Sequence, residues 1–183
     1  MPVIVLDKEA VSRQTFVAID PGAKESGYVV LTGKTVNEHG KIPNQTVIDY
    51  LLDVYAGRQV VLERPTLYGV AGDDLLQTCI WFGRFFQACP GTADWLTRGD
   101  VVRYWTGRAV LSKPKDAPEG YKQPKPDAVL KQLIIDRYGG KDVAIGKGPT
   151  KKSPGNPGPL FGVEKDAWQA LALGLAYQDG ARH

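Results

Sequence analysis

An unbroken apolar run, Phe16-Val17-Ala18-Ile19, ends on Asp20 and turns at Pro21-Gly22. A second apolar run, Tyr28-Val29-Val30-Leu31, follows Ser26-Gly27. The pattern predicts strands over 15–20 and 26–32, a third over 34–38, and hence an antiparallel meander. Val47, Ile48, Leu51, Leu52 and Tyr55 share one helical face, predicting a helix over 45–56 that stops at Gly57. Val60-Val61-Leu62 centres a strand over 58–63, buried on both faces and halted by Pro65. A helix opens at Asp73-Asp74, carries Leu76, Cys79, Ile80, Phe82, Phe85 and Phe86, and ends before Pro90-Gly91. A short strand is expected over 100–104, leading to Trp105, and helices over 126–138 and 164–178. Residues 1–14 read as an N-terminal arm. Residues 140–160, rich in Gly, Pro and Lys without a period, read as a flexible basic loop. The expected whole is one α/β domain with a mixed sheet, antiparallel first and joined by helical crossovers later.

Composition narrows the function classes. A chain of 183 residues can bury one real core. No apolar run approaches the roughly 20 residues of a membrane helix, and no basic-then-apolar leader opens the chain. Cys79 and Cys89 are too few for a disulfide scaffold, so a cytoplasmic protein is expected. His39 and His183 are the only histidines, which argues against Ser-His or Cys-His catalysis and against His-rich zinc sites. Charge is uneven. Residues 1–97 hold 8 Lys and Arg against 11 Asp and Glu, whereas residues 98–183 hold 15 against 9. The basic second half suggests a polyanion partner, nucleic acid above all, or else a solvated lysine-rich face.

Three carboxylates stand where ligands collect. Asp20 and Glu63 each end a strand; if those strands are parallel neighbours, both open on one sheet edge. Asp166 lies in the first turn of the last predicted helix, whose N-terminus can reach the same edge. Each also has a plainer reading: a cap on Pro21-Gly22, an ion pair with Arg64, and an ordinary helix-start acid. Carboxylates converging without histidine repel one another, and hard divalent cations, Mg²⁺ or Mn²⁺, remove that repulsion. Two such ions about 4 Å apart suit in-line attack on a phosphodiester.

The motifs Ala18-Ile19-Asp20-Pro21-Gly22 with Ser26-Gly27, Val60-Val61-Leu62-Glu63, and Lys165-Asp166-Ala167 with Ala170-Leu171-Ala172 resemble the RuvC-type Holliday junction resolvases. Val102-Arg103-Tyr104-Trp105-Thr106-Gly107 and Lys125-Pro126-Asp127-Ala128-Val129 through Asp136-Arg137-Tyr138-Gly139 resemble phage and bacterial members. The resemblance covers residues 15–180. It implies a ribonuclease H-like fold with a five-stranded mixed sheet flanked by helices. It also implies a phage-encoded, homodimeric, Mg²⁺-dependent endonuclease that cuts four-way DNA junctions, with Mn²⁺ able to substitute. Asp20, Glu63 and Asp166 take the metal-ligand positions. The family's fourth ligand falls three residues before the helix aspartate, where this chain has Val163. Glu164, one residue later, replaces it if the helix starts slightly differently; otherwise water completes the shell.

The resemblance also implies DNA contacts. Leu67 or Tyr68, after the strand glutamate, is placed to wedge into a junction, and stacking on a base is worth about 1–3 kcal/mol. Lys24, Arg64, Lys113, Lys115, Lys147, Lys151 and Lys152 are candidate phosphate contacts, alongside Lys122 and Lys125. The aromatic helix with Trp81, Phe82, Phe85 and Phe86 is a candidate dimer face or core element. Gly146-Lys147-Gly148 lacks the Ser or Thr of a phosphate-binding loop, and no nucleotide cofactor is expected. Rival readings are a nuclease of the same fold acting on RNA–DNA hybrids or other branched DNA, and a non-catalytic DNA-structure-binding protein. A sugar-kinase-like phosphotransferase would need a second domain for which there is little room.

Overall fold

A computed structural model describes residues 15–66, 70–108, 116, 118–120 and 122–182. The proposed arm over 1–14 and the candidates Leu67, Tyr68, Lys113 and Lys115 lie outside the described residues. The strands are β1 (Thr15–Asp20), β2 (Glu25–Thr32), β3 (Thr35–Pro43), β4 (Gln59–Arg64) and β5 (Ala93–Thr97). They form one sheet in the order β3-β2-β1-β4-β5. The first three pair antiparallel, and β4 pairs parallel with both β1 and β5. The expected mixed five-stranded sheet is therefore present.

Side chains alternate between its two faces. Phe16 and Ala18 of β1, Val29 and Leu31 of β2, and Val61 of β4 join one core cluster. Val17, Ile19, Val30, Val60 and Leu62 join the other. The second face is covered by α1 (Asn44–Leu52), through Val47, Ile48 and Leu51, and by Phe85 of α2 (Asp73–Ala88). The first face is covered by α3 (Arg98–Thr106), α4 (Pro126–Arg137) and α6 (Ala167–Gln178). Ten of the twelve α6 residues are buried, so this helix is apolar all round. A side chain at Gly174 would come within 2.7 Å of Leu31 and 3.0 Å of Ala18, so glycine there sets how closely α6 lies on the sheet.

Several expectations need correction. Residues 100–104 are helical, and the fifth strand lies earlier, at Ala93–Thr97. Val101-Val102 suggests a strand by its β-branched composition, but Thr97 and Asp100 form a reciprocal capping box that starts α3 at Arg98. Val101 and Val102 then fall on the buried side of α3, and Gly107 closes it with a left-handed backbone, φ 73°. Residues 140–160 are not without regular structure. They hold α5 (Lys141–Ala144) and an antiparallel ladder of β6 (Gly146–Lys147) with β7 (Asn156–Pro157). Elements this short leave no periodic signal.

The last helix begins at Ala167, not 164, because Lys165 adopts a left-handed backbone, φ 49°. Asp166 then sits at the helix entrance, against β2. A side chain on Gly27 would lie 2.5 Å from the Asp166 backbone and 2.8 Å from its Cβ. The Gly27→Ala protein should therefore lose about 1–3 kcal/mol of folding stability through overpacking, measured by urea unfolding. An unchanged midpoint would show that Asp166 does not depend on this contact.

Candidate active site

The site grows from the ends of β1 and β4. Ile19 pairs with Leu62 in the parallel ladder, so Asp20 and Glu63 follow side by side at one edge. Alternation sends both toward the face covered by α3, α4 and α6, since Ala18 and Val61 already point there. The turn after Asp20 is fixed from behind. Ser26 Oγ donates to Asn44 Oδ1 at 2.6 Å, and Asn44 Nδ2 donates to the Gly22 carbonyl at 2.9 Å. Ser26 Oγ also accepts from the Gly22 N–H at 3.3 Å. Ser26 and Asn44 are buried, so the closed network satisfies groups that would otherwise be stranded.

Asp166 reaches the same edge from α6. Its side chain makes no cap on that helix; it pairs with Lys41 Nζ at 2.7 Å. Lys41 lies on β3 opposite Gly27, which in turn pairs with Asp20. The absence of a side chain at Gly27 thus aligns Lys41, Asp20 and Asp166 across three strands and a helix entrance. The Asp166 hydrogen bond raises the Lys41 pKa and keeps its ammonium charged.

Arg98 is the second cation. Glu63 faces Leu96 and Arg64 faces Thr97 in the ladder, which sets Arg98 just beyond the same sheet edge. Arg98 Nη1 donates to Glu63 Oε2 at 3.2 Å, and Nη2 donates to Asp127 Oδ1 in the first turn of α4. The Glu63 side chain is 13% exposed, whereas that of Asp127 is 62% exposed.

Burial is the main force on both strand-end acids, and it raises their pKa values. Glu63, Asp166 and Asp127 push Asp20 further up, while Arg98 draws it down. Arg98 likewise opposes the rise at Glu63. The acids that act on Asp20 are therefore Glu63, Asp166 and Asp127, and Asp127 acts on Glu63 as well. Glu164 is exposed and is not among the charges acting on Asp20 or Glu63. A cleft of about 350 Å³ between the entrances of α4 and α6 is lined by Asp127, Lys131, Lys165, Asp166 and Trp168, among others.

Of the proposed DNA contacts, Lys24 lies exposed in the turn after Asp20. Arg64 is exposed with its guanidinium 4.0 Å from the centre of the Trp95 ring. Lys147, on β6, and Lys151 and Lys152 are exposed farther along the chain, as are Lys122 and Lys125. The sequence reading missed Arg98, Lys41 and Asp127 as site residues. Thr97-Arg98-Gly99-Asp100 carried a capping-box signal for the first. Lys41 falls beyond the expected end of the third strand, and Asp127 stands in the sequence only as part of the Lys125-Pro126-Asp127-Ala128-Val129 motif, with no site role attached.

The donor set suits a hard divalent cation, because every acid offers oxygen and the crowded negative charge favours one. Among the described residues, no three His, Cys, Asp or Glu side chains stand close enough to share an ion as they are. Arg98 instead bridges Glu63 and Asp127, and Lys41 holds Asp166.

No protein-family model matches the chain, and no curated protein matches it in sequence. In structure it is similar to RuvC of Thermus thermophilus, with a TM-score of 0.54 and 14% identity over 92% of this chain and 98% of that one. It is similar also to T. thermophilus RuvC in complex with Holliday junction substrate, with a TM-score of 0.53 and 14% identity over 89% and 92%. At that identity the likeness establishes the fold: a mixed five-stranded sheet flanked by helices, of the RuvC and ribonuclease H-like kind.

The raised acids carry a stability prediction. An acid whose pKa is raised on folding stabilises the folded chain while protonated, and that stability is lost as pH rises through the folded value. Asp20→Asn removes the charge altogether. In EDTA it should raise the melting temperature at neutral pH, with the advantage shrinking as pH falls toward the ordinary aspartate range. A lower melting temperature at neutral pH would contradict this electrostatic account.

Proposed function

We propose that the chain is a divalent-metal-dependent endonuclease that resolves four-way DNA junctions as a homodimer. The observation that carries this reading is that Asp20, Glu63 and Asp166, from two strands and a helix entrance, converge on one sheet edge, near enough for the other two to raise the Asp20 pKa though not to share an ion as they stand. The fold shared with RuvC, one structure of which holds a Holliday junction substrate, supports the choice of branched DNA.

In this reading Asp20, Glu63 and Asp166 hold the metal, Mg²⁺ with Mn²⁺ able to substitute. Bound ions supply activation of the attacking water and neutralisation of the leaving oxygen. Asp20 sits between the other two and is held by the Ser26–Asn44–Gly22 network against movement with its turn. Arg98 and Lys41 supply positive charge at the mouth of the site, where a phosphate enters. The exposed lysines Lys24, Lys147, Lys151 and Lys152 give backbone contacts that orient DNA without reading its sequence. In this reading a second copy docks on α2, where Phe85 alone is fully buried and Leu76, Ile80 and Phe86 are exposed. A row of large apolar side chains of that kind marks a contact surface.

The test is cleavage of a synthetic four-way junction with Mg²⁺, against a flap, an RNA–DNA hybrid and linear duplex. The wild-type chain should cut the junction preferentially. Partners of metal ligands alone contribute roughly 10–100-fold, so Asp20→Asn and Glu63→Gln should each lose at least that. Preferred cutting of the hybrid or flap would reassign the substrate. Junction binding without cutting in either metal would make the chain a structure-binding protein.

A further inference from the structure

We infer that Arg98 is a resident cation of the acidic site, one that competes with a divalent ion for the charge of Glu63. The inference rests on the metal-dependent reading above. It goes beyond that reading by giving one residue a positioning role and a sign.

Arg98 is the first residue of α3, and the Thr97–Asp100 capping box fixes the backbone on either side of it. From there its guanidinium spans two acids on different elements, Glu63 at the end of β4 and Asp127 at the start of α4. A planar fork can do this, because its donors point in two directions at once. The Glu63 side chain is nearly buried, so few other groups can balance it, and water screens the pair poorly. The Lys41–Asp166 pair is more open on both sides, so water screens it more.

Arg98 takes Glu63 Oε2 and leaves Oε1 open, but it also takes up part of the charge that a divalent ion would draw on. Two positive charges on one carboxylate repel, so each weakens the hold of the other. Asp127 is the other seat. It is largely exposed, and it keeps Arg98 at the site once Glu63 is taken. Arg98 therefore holds Glu63 and Asp127 in place while no ion is bound, and it competes with the ion for Glu63. A residue that merely buttressed the fold would act with the opposite sign, since its loss would loosen the acids and weaken metal binding.

The experiment measures Mn²⁺ affinity of the full chain by electron paramagnetic resonance, without DNA, so that no activity enters the readout. Arg98→Met keeps the apolar stem and removes the charge. It should bind Mn²⁺ roughly tenfold more tightly than wild type, the size of one charge-assisted hydrogen bond to Glu63. Arg98→Lys keeps the charge but cannot span both acids, so it should tighten binding by a smaller factor; it also serves if the Met variant does not fold. Unchanged or weaker binding in the folded variants would overturn the competition. Asp20→Asn separates the two layers of the argument. If it weakens Mn²⁺ binding while the Arg98 variants do not tighten it, only the role of Arg98 falls. If it binds Mn²⁺ as wild type does, the metal reading falls and the role of Arg98 falls with it.

Discussion

Like charges brought together at the edge of a buried sheet repel, and here the repulsion is met by two cations of the chain itself. Asp20 and Glu63 come from neighbouring parallel strands, so their closeness is dictated by the ladder and cannot relax. Burial and mutual repulsion act in the same direction on both. Arg98, and on the more open side Lys41, supply the opposing charge. A buried acid left without such a partner would be neutralised by a proton instead. Arg98 offsets part of the rise that burial imposes on both acids.

The rest of the fold serves that meeting. β1 is central, with β2 antiparallel on one side and β4 parallel on the other. This mixed order puts Asp20 beside both Glu63 and the glycine that admits α6. Gly27 and Gly174 both lie where α6 approaches the sheet, and neither site has room for a methyl group without displacement. α6 itself is almost wholly buried, so the position of Asp166 is set by core packing along the whole helix. That is a firmer hold than a surface loop would give.

Much of this was legible in the sequence, for physical reasons that differ by element. The strands of the central sheet have long apolar runs, and the carboxylates at their ends stand out because they break those runs. Asp166 was found because its helix is apolar and its entrance is marked by charge. α3 was misread because Val101-Val102 favours a strand by composition, while the Thr97–Asp100 box that makes it a helix is a local hydrogen-bond pattern. Arg98, Lys41 and Asp127 were missed as partners because their roles depend on which strands adjoin. That order is a tertiary fact, absent from any window of the chain. The buried Asn44, which ties the Asp20 turn to α1, sits at a helix start where its side chain looks unremarkable.

The central claim is that Asp20, Glu63 and Asp166 form one cation site. A crystal of the chain soaked in Mn²⁺ and measured at the manganese absorption edge tests it most directly. Anomalous density is expected within ligand distance of Asp20 and Glu63, beside Asp166, with Arg98 drawn away from Glu63. Manganese bound elsewhere, or an acid cluster still closed on Arg98 and Lys41 at saturating Mn²⁺, would contradict it.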